Sequence, residues 1–115
     1  MLKKQYRLAK TRDIKTTFAR GRGFFNPMFS VRFRKNFEQR RFTVVVSSRV
    51  SKKAVVRNRI KRKVREFIRT NLKMFVLGDY VVEIKPRAVN FPEKEMLSSL
   101  EQFLIQKKIF HNETD

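Results

Sequence analysis

Apolar residues recur along the chain with two different spacings, which predict strands and helices. Residues 28–34 (MFSVRFR) and 41–48 (RFTVVVSS) alternate apolar and polar side chains, a pattern typical of half-buried strands. Residues 80–85 (YVVEIK) alternate in the same way until Pro86, and residues 21–25 (GRGFF) predict a further short strand. The polar segment 35–40 (KNFEQR) is short enough to join the first two strands as an antiparallel hairpin.

Helical spacing appears first in residues 11–21 (TRDIKTTFARG). Thr11 is placed to cap this helix, and Asp13 suits its positive end. Ile14 and Phe18 lie four residues apart on one face, and Gly21 suits the exit. The pattern therefore predicts a short amphipathic helix.

Two longer helices follow. Residues 54–69 (AVVRNRIKRKVREFIR) set apolar residues at helical spacing and fill the gaps mainly with arginine and lysine. Residues 92–110 open with proline and acids and close with Lys107 and Lys108. The apolar face of this last helix consists of Met96, Leu97, Leu100, Phe103 and Leu104.

These elements predict an α+β fold with the order α-β-β-β-α-β-α. We expect a two-layer sandwich in which an approximately four-stranded, mostly antiparallel sheet packs with three helices; a parallel crossover around the central helix is compatible with this order. No linker or repeat divides residues 1–115, so the chain is predicted to be one domain with a flexible tail from about residue 110 to 115.

The net charge of the chain limits the classes of partner that it can bind. The chain carries 29 Lys and Arg against 10 Asp and Glu, a net charge of +19, which favours a polyanionic partner. No apolar run approaches the roughly 20 residues that span a membrane, and no secretory leader is evident, so we expect a cytoplasmic protein that does not bind membranes. The chain has no cysteine and one histidine, His111 in a polar tail, so no metal site is predicted.

The central helix divides into two faces. Val56, Ile60, Val64 and Phe67 form one stripe with Ile68 beside it, and we expect the sheet to use this stripe fully. The opposite side and its flanks are basic, and Glu66 is the one acid from residue 52 to 69. Since a guanidinium can donate two parallel hydrogen bonds to one phosphate, a nucleic acid is a better partner than lipid headgroups.

Three other interpretations fit part of this pattern. A basic run in an average protein is usually a solvated helix face, but the charge density here favours a binding surface. A structural RNA-binding protein, such as a ribosomal component, would share the charge, size and fold class. A nuclease active site within the chain is disfavoured because its acids are scattered.

The segment AVVRNRIKRKVREFIR closely resembles the signature of the bacterial ribonuclease P protein family, in which Arg-Asn-Arg followed by Ile-Lys-Arg begins a long helix. The resemblance extends through YRLAKTRDIKTTFARG, FTVVVSSRVSKK and GDYVVEIKPRA. It implies a left-handed βαβ crossover and a protein subunit of an endoribonuclease. In that enzyme the RNA subunit, with bound Mg²⁺, removes the 5′ leader of precursor tRNA, and the protein supplies no catalytic residue and requires no protein partner.

The resemblance also implies two RNA-binding surfaces. The residues facing the ribonuclease P RNA would be Lys52, Lys53, Arg57, Asn58, Arg59, Lys61, Arg62, Arg65 and Arg69. The single-stranded leader of precursor tRNA would lie in a cleft between the first helix and the sheet, at Ile14, Phe18, Arg32 and Lys85. Family members often have aromatics where this chain has Ile14 and Arg32, and a glycine in the loop before the central helix where this chain has none.

Overall fold

The structure, a computed structural model, describes residues 2–36 and 38–111. Its α-helices are α1 (Thr11–Arg20), α2 (Ala54–Thr70) and α3 (Glu93–Gln106). Its strands are β1 (Arg22–Phe25), β2 (Phe29–Lys35), β3 (Arg40–Val46) and β4 (Gly78–Ile84). The predicted α+β class, the four strands, the three helices and their order α-β-β-β-α-β-α are confirmed.

The strands form one mixed sheet with the spatial order β1-β2-β4-β3. β2 pairs antiparallel with both β1 and β4, whereas β3 pairs parallel with β4. The predicted β2–β3 hairpin is therefore wrong, because β4 lies between these strands. A parallel pair needs a crossover connection, and α2 provides it between β3 and β4; the handedness of this connection stays a prediction.

One face of the sheet holds the main core. The register aligns Phe33, Tyr80 and Phe42 across three strands, and the alternate residues along each strand are buried beside them. The Tyr80 ring stacks on Phe42 at 4.8 Å between centroids and lies 4.9 Å from Phe33. Buried residues of α2 and α3 belong to this same core, so both helices pack on this face.

The opposite face of the sheet carries α1. Thr17 of α1 is fully buried, and Leu8 and Val81 are buried outside the main core. Helices thus cover both faces of the sheet, and α1 adds a layer to the two-layer arrangement that the pattern predicted.

An ion network fixes α1 to the sheet. Arg41 of β3 donates two hydrogen bonds to Asp79 of β4, at 2.9 and 2.8 Å, and contacts Asp13 of α1 at 3.3 Å. The Asp79 side chain is 4% exposed and that of Asp13 is 29% exposed. The hydrogen bonds from Arg41 to Asp79 raise the pKa of Arg41, which therefore stays charged.

The ends of α1 differ from the prediction in one respect. Lys10 occupies the N-cap position without a side-chain cap, so Thr11 is the first helical residue and the predicted Thr11 cap is wrong. Gly21 ends the helix as predicted. A Cβ at Gly21 would lie 2.3 Å from the Thr17 carbonyl oxygen and 2.9 Å from that of Phe33, and neither backbone atom can move freely. Glycine is required there for close packing.

The chain beyond α3 returns to the core. Ile109 and Phe110 are buried, Phe110 forms a bridge with Phe75, and the His111 amide donates to the Met74 carbonyl at 2.6 Å. The flexible tail was predicted to begin at about residue 110, but residues 110 and 111 pack against the body of the protein. Residues 112–115 of that tail lie outside the described residues.

We predict that Asp79→Asn lowers the free energy of unfolding by about 3 kcal/mol, because it removes one partner of a buried charge pair. Asp13→Asn, which alters the exposed end of the same network, should cost less than about 1 kcal/mol. Urea denaturation of both variants checks this contrast. Equal losses would contradict the structural importance of the Arg41–Asp79 pair.

Candidate nucleic-acid interface

The central helix α2 is anchored on one side. Ile60, Val64 and Ile68 are buried at successive turns, and Phe67 is half-buried. Val56 was predicted to pack against the sheet as well, but it remains 37% exposed. The first turn of α2 therefore extends past the sheet, and the prediction that the sheet uses the whole stripe is wrong at this end.

The outward face of α2 carries the predicted basic residues. Asn58, Arg59, Arg62 and Arg69 are exposed, and Arg57, Lys61 and Arg65 are half-buried. Lys52 and Lys53 are exposed in the loop before the helix. Although this loop has no glycine, it needs no strained backbone, since within the described residues only Lys108 among the non-glycine residues has a positive φ. These nine residues are called the α2 strip below.

Acidic residues compensate only part of this charge. Glu66 pairs with Arg69 on the helix, and hydrogen bonds from Arg69 lower the pKa of Glu66 to about 2. Glu93 of α3 contacts Arg59 at 3.0 Å and Lys63 at 3.7 Å, an interaction between two helices that the sequence pattern did not reveal. Nine Lys and Arg residues from 52 to 69 thus face two carboxylates, so the surface stays strongly basic.

The surface of α2 carries a shallow basic depression. Arg59, Arg62, Lys63 and Glu66 line a volume of about 450 Å³ on the surface of α2.

The Arg57 side chain turns back and donates to the Ser51 carbonyl at 2.8 Å, which ties the loop before α2 to the helix. Arg57 is therefore partly structural, whereas Arg59 and Arg62 border the depression.

A second candidate site lies on the other face of the sheet, beside α1. Phe18 of α1 and Phe25 of β1 are 49% and 53% exposed. The guanidinium carbon of Arg32, in β2, lies 5.7 Å from the centre of the Phe18 ring and 5.0 Å from that of Phe25. The Lys85 Nζ atom lies 5.9 Å from the Phe25 ring and donates to the Asn26 carbonyl at 2.8 Å. Two exposed rings and two cations thus share one site, called the α1 cleft below.

Arg32 has an unusual environment within this cleft. Its Nε atom is buried but makes no hydrogen bond to any part of the described chain. A buried polar atom without a partner costs free energy unless a ligand or water satisfies it. The α1 cleft therefore places a guanidinium with one unpaired donor beside two exposed aromatic rings, a combination suited to an anionic ligand that carries flat rings.

The structure brings together three of the four predicted cleft residues. Phe18, Arg32 and Lys85 meet around Phe25, which the sequence interpretation did not include. Adjacent residues of a strand point to opposite faces, so the pair Phe24 and Phe25 was the available signal that one ring would face away from the core. Ile14 is half-buried and lines a different depression, of about 220 Å³, together with Leu8 and Phe42.

Metal-binding clusters and membrane-spanning helices are absent from the described residues. Across residues 2–36 and 38–111, no group of three or more His, Cys, Asp or Glu side chains is arranged to hold a metal ion. In the same ranges, no helix has the length and apolar character needed to cross a membrane.

Comparison with known proteins identifies the family. The sequence model of the Ribonuclease P family matches residues 2–108. Ribonuclease P protein components from Picosynechococcus and from Staphylococcus epidermidis are each 33% identical to the chain. The first alignment covers 96% of this chain and 97% of the relative, and the second covers 96% of each.

Solved structures agree with the sequence matches. The RNase P protein of Staphylococcus aureus superposes with a TM-score of 0.86 at 28% identity, over 94% of this chain and 100% of that one. The RNase P protein of Thermotoga maritima was solved in complex with 1-(4-fluorophenyl)-2-thiourea. It superposes with a TM-score of 0.76 at 32% identity, over 85% of this chain and 96% of that one. Together with the basic α2 strip, these matches show that the chain belongs to the ribonuclease P protein family and is a protein subunit of that endoribonuclease.

Proposed function

We propose that the chain contributes two separate RNA-binding surfaces to ribonuclease P. The α2 strip binds the ribonuclease P RNA, and the α1 cleft binds the single-stranded 5′ leader of precursor tRNA. The two surfaces lie on opposite faces of the sheet, so one subunit can contact both RNAs at once. Removal of the leader generates the mature 5′ end of the tRNA.

The charge and geometry of the α2 strip support its assignment. It carries five arginines, a residue type whose guanidinium can donate paired hydrogen bonds to a phosphate, and the buried row Ile60, Val64 and Ile68 holds the helix rigid beneath them. Contacts of this kind release counterions from the RNA, so they make binding depend strongly on salt.

The observation that carries the leader assignment is the position of Arg32 between Phe18 and Phe25, with its buried Nε atom unpaired. Unstacked bases of single-stranded RNA stack on aromatic rings and on guanidinium planes, and their phosphates pair with cations. The α1 cleft offers aromatic rings, a guanidinium plane and cations, so it can make all three kinds of contact. Lys85 adds a second cation beside the Phe25 ring.

We assign the cleavage chemistry to the RNA subunit, with Mg²⁺ bound by that RNA. The protein would assist by placing fixed positive charge against RNA phosphates, which lowers the amount of Mg²⁺ needed for folding and substrate binding. This division of labour requires no further protein partner and suits a cytoplasmic enzyme.

For the α2 strip, we predict that the double variant Arg59→Ala, Arg62→Ala binds ribonuclease P RNA more weakly than the wild type. The slope of log K against log salt should become shallower by about 0.7 to 0.9 for each phosphate that the variant no longer neutralises. Filter binding over a series of salt concentrations measures this slope. Arg57 is left unchanged because it ties the Ser51 loop to the helix.

The matched control is the double variant Lys73→Ala, Lys107→Ala, which removes the same charge at exposed positions outside the α2 strip and the α1 cleft. We expect the slope of this control to stay close to the wild-type value. If the slope falls equally in both double variants, binding depends on total charge and the α2 strip has no special role.

For the α1 cleft, we predict that Phe25→Leu weakens the binding of precursor tRNA by the assembled enzyme but leaves the binding of mature tRNA unchanged. Loss of one stacked base costs about 1 to 3 kcal/mol. Dissociation constants for tRNAs with and without a leader separate an effect on leader binding from an effect on the rest of the tRNA. Phe25→Tyr, which keeps a flat ring, should bind the leader like the wild type.

A loss of affinity that is equal for precursor and mature tRNA would exclude the α1 cleft as the leader site. Full retention of leader affinity in Phe25→Leu would exclude stacking on Phe25.

A further inference from the structure

A groove between α2 and the segment before α3 shares only Arg59 with the two proposed RNA-binding surfaces. Its volume is about 480 Å³. Val56 of α2 and Val89 and Phe91 of the connection after β4 line its sides, and the buried residues Ile60 and Met96 contribute to its lining. We call it the Phe91 groove.

The distribution of exposed apolar residues marks this groove as unusual. Among the described residues, the large apolar side chains that remain exposed are Phe18 and Phe25 in the α1 cleft, Val56, Val89 and Phe91 in the Phe91 groove, and Val55 outside the groove lining. Exposed apolar side chains that cluster, rather than scatter singly, mark interaction sites. Since the first cluster is the proposed leader site, the second also calls for a partner.

The backbone at Phe91 is constrained by its neighbours in the chain. Phe91 precedes Pro92 and is extended, with φ −109° and ψ 152°, as the steric demand of a following proline favours. Its amide donates to the Ala88 carbonyl at 3.5 Å, and the residue is 43% exposed. The backbone that carries the ring therefore has little conformational freedom left to lose when a partner binds.

Charge on the rim identifies the kind of partner. Arg59 and Lys63 line both the Phe91 groove and the basic depression on α2, so the two sites are continuous. Glu93 holds the Arg59 and Lys63 side chains at this shared wall. A ligand that spans both sites would have a flat apolar part in the groove and anionic groups beside Arg59 and Lys63. A nucleotide of single-stranded RNA has this composition.

We propose that the Phe91 groove binds an unpaired base of the ribonuclease P RNA, which stacks on Phe91 while its flanking phosphates contact Arg59 and Lys63. This inference rests on the proposed binding of that RNA by the α2 strip. It adds base stacking to a surface that would otherwise recognise only phosphates. A second copy of the chain is a poorer occupant, because a net charge of +19 on each copy and the adjoining basic strip would repel it.

Substitutions of Phe91 test the stacking. Phe91→Ala and Phe91→Leu should weaken the binding of ribonuclease P RNA, without any tRNA present, by at least about 5-fold, the lower limit for loss of one stacked base. Phe91→Tyr should bind like the wild type. The salt slope should not change in any of the three, since each variant keeps every cation that faces a phosphate. Val55→Ala, at an exposed apolar position outside the groove lining, is the control and should keep full affinity.

Fluorescence gives a second readout. The chain has no tryptophan, so Phe91→Trp places a single indole in the groove. Ribonuclease P RNA should quench its emission, because a base stacks on it. Inorganic polyphosphate, an anion without bases, should bind the basic surface and leave the emission almost unchanged.

The outcomes separate this inference from the proposed function. If Phe91→Ala and Phe91→Leu bind the RNA as the wild type does and RNA does not quench the indole, stacking is excluded while salt-dependent binding by the α2 strip still stands. If the wild type itself fails to bind the RNA, the proposed function fails and this inference with it. A change in indole emission that follows protein concentration without RNA would show a second copy in the groove and would overturn the proposal.

Discussion

The pairing of β4 on both sides is the constraint on which the rest of the fold depends. All seven residues of β4 align with β2 on one side and with β3 on the other, and only Glu83 of the strand is not buried. Because β3 runs parallel to β4, the chain must cross the sheet between them, and α2 is that crossover. The helix with the densest positive charge is thereby fixed against the core, with its basic side outward. The other face of the sheet stays available to α1, which the Arg41 network holds beside β2 and β4.

Periodicity predicted the elements well but not their partners. β2, β3 and β4 could be predicted from alternation, since one side of each faces the main core, and α2 and α3 could be predicted from helical spacing. The β2–β3 hairpin was wrong because alternation defines the faces of a strand and not its neighbours. The near-continuous burial of β4 is typical of a central strand, and its run Tyr80, Val81, Val82 was the available sign. The misplacement of Val56 has a similar cause, since helical spacing does not show where the sheet ends.

The two functional surfaces differ in how far the sequence revealed them. The residues of the α2 strip lie on one helix and in the loop just before it. They are close together in sequence and could therefore be named in advance. The α1 cleft combines residues of α1, β1, β2 and the end of β4, and only the folded chain brings Phe25 to Arg32. The lining of the Phe91 groove comes from residues 56–63 and 89–96, which are more than twenty residues apart in sequence. The Glu93 contacts with Arg59 and Lys63 likewise join α3 to α2. Sites within one element can be predicted from spacing, whereas sites between elements require the topology.

The most direct test of the central claim, that this subunit assists an RNA catalyst by binding both RNAs, is the cleavage of precursor tRNA by its cognate ribonuclease P RNA at limiting Mg²⁺, with and without the chain. We expect cleavage at the mature 5′ end to be restored when the chain is added and to require the RNA subunit. Equal cleavage with and without the chain would show that its RNA binding does not assist catalysis. Cleavage by the chain in the absence of the RNA subunit would contradict the assignment of the chemistry to RNA.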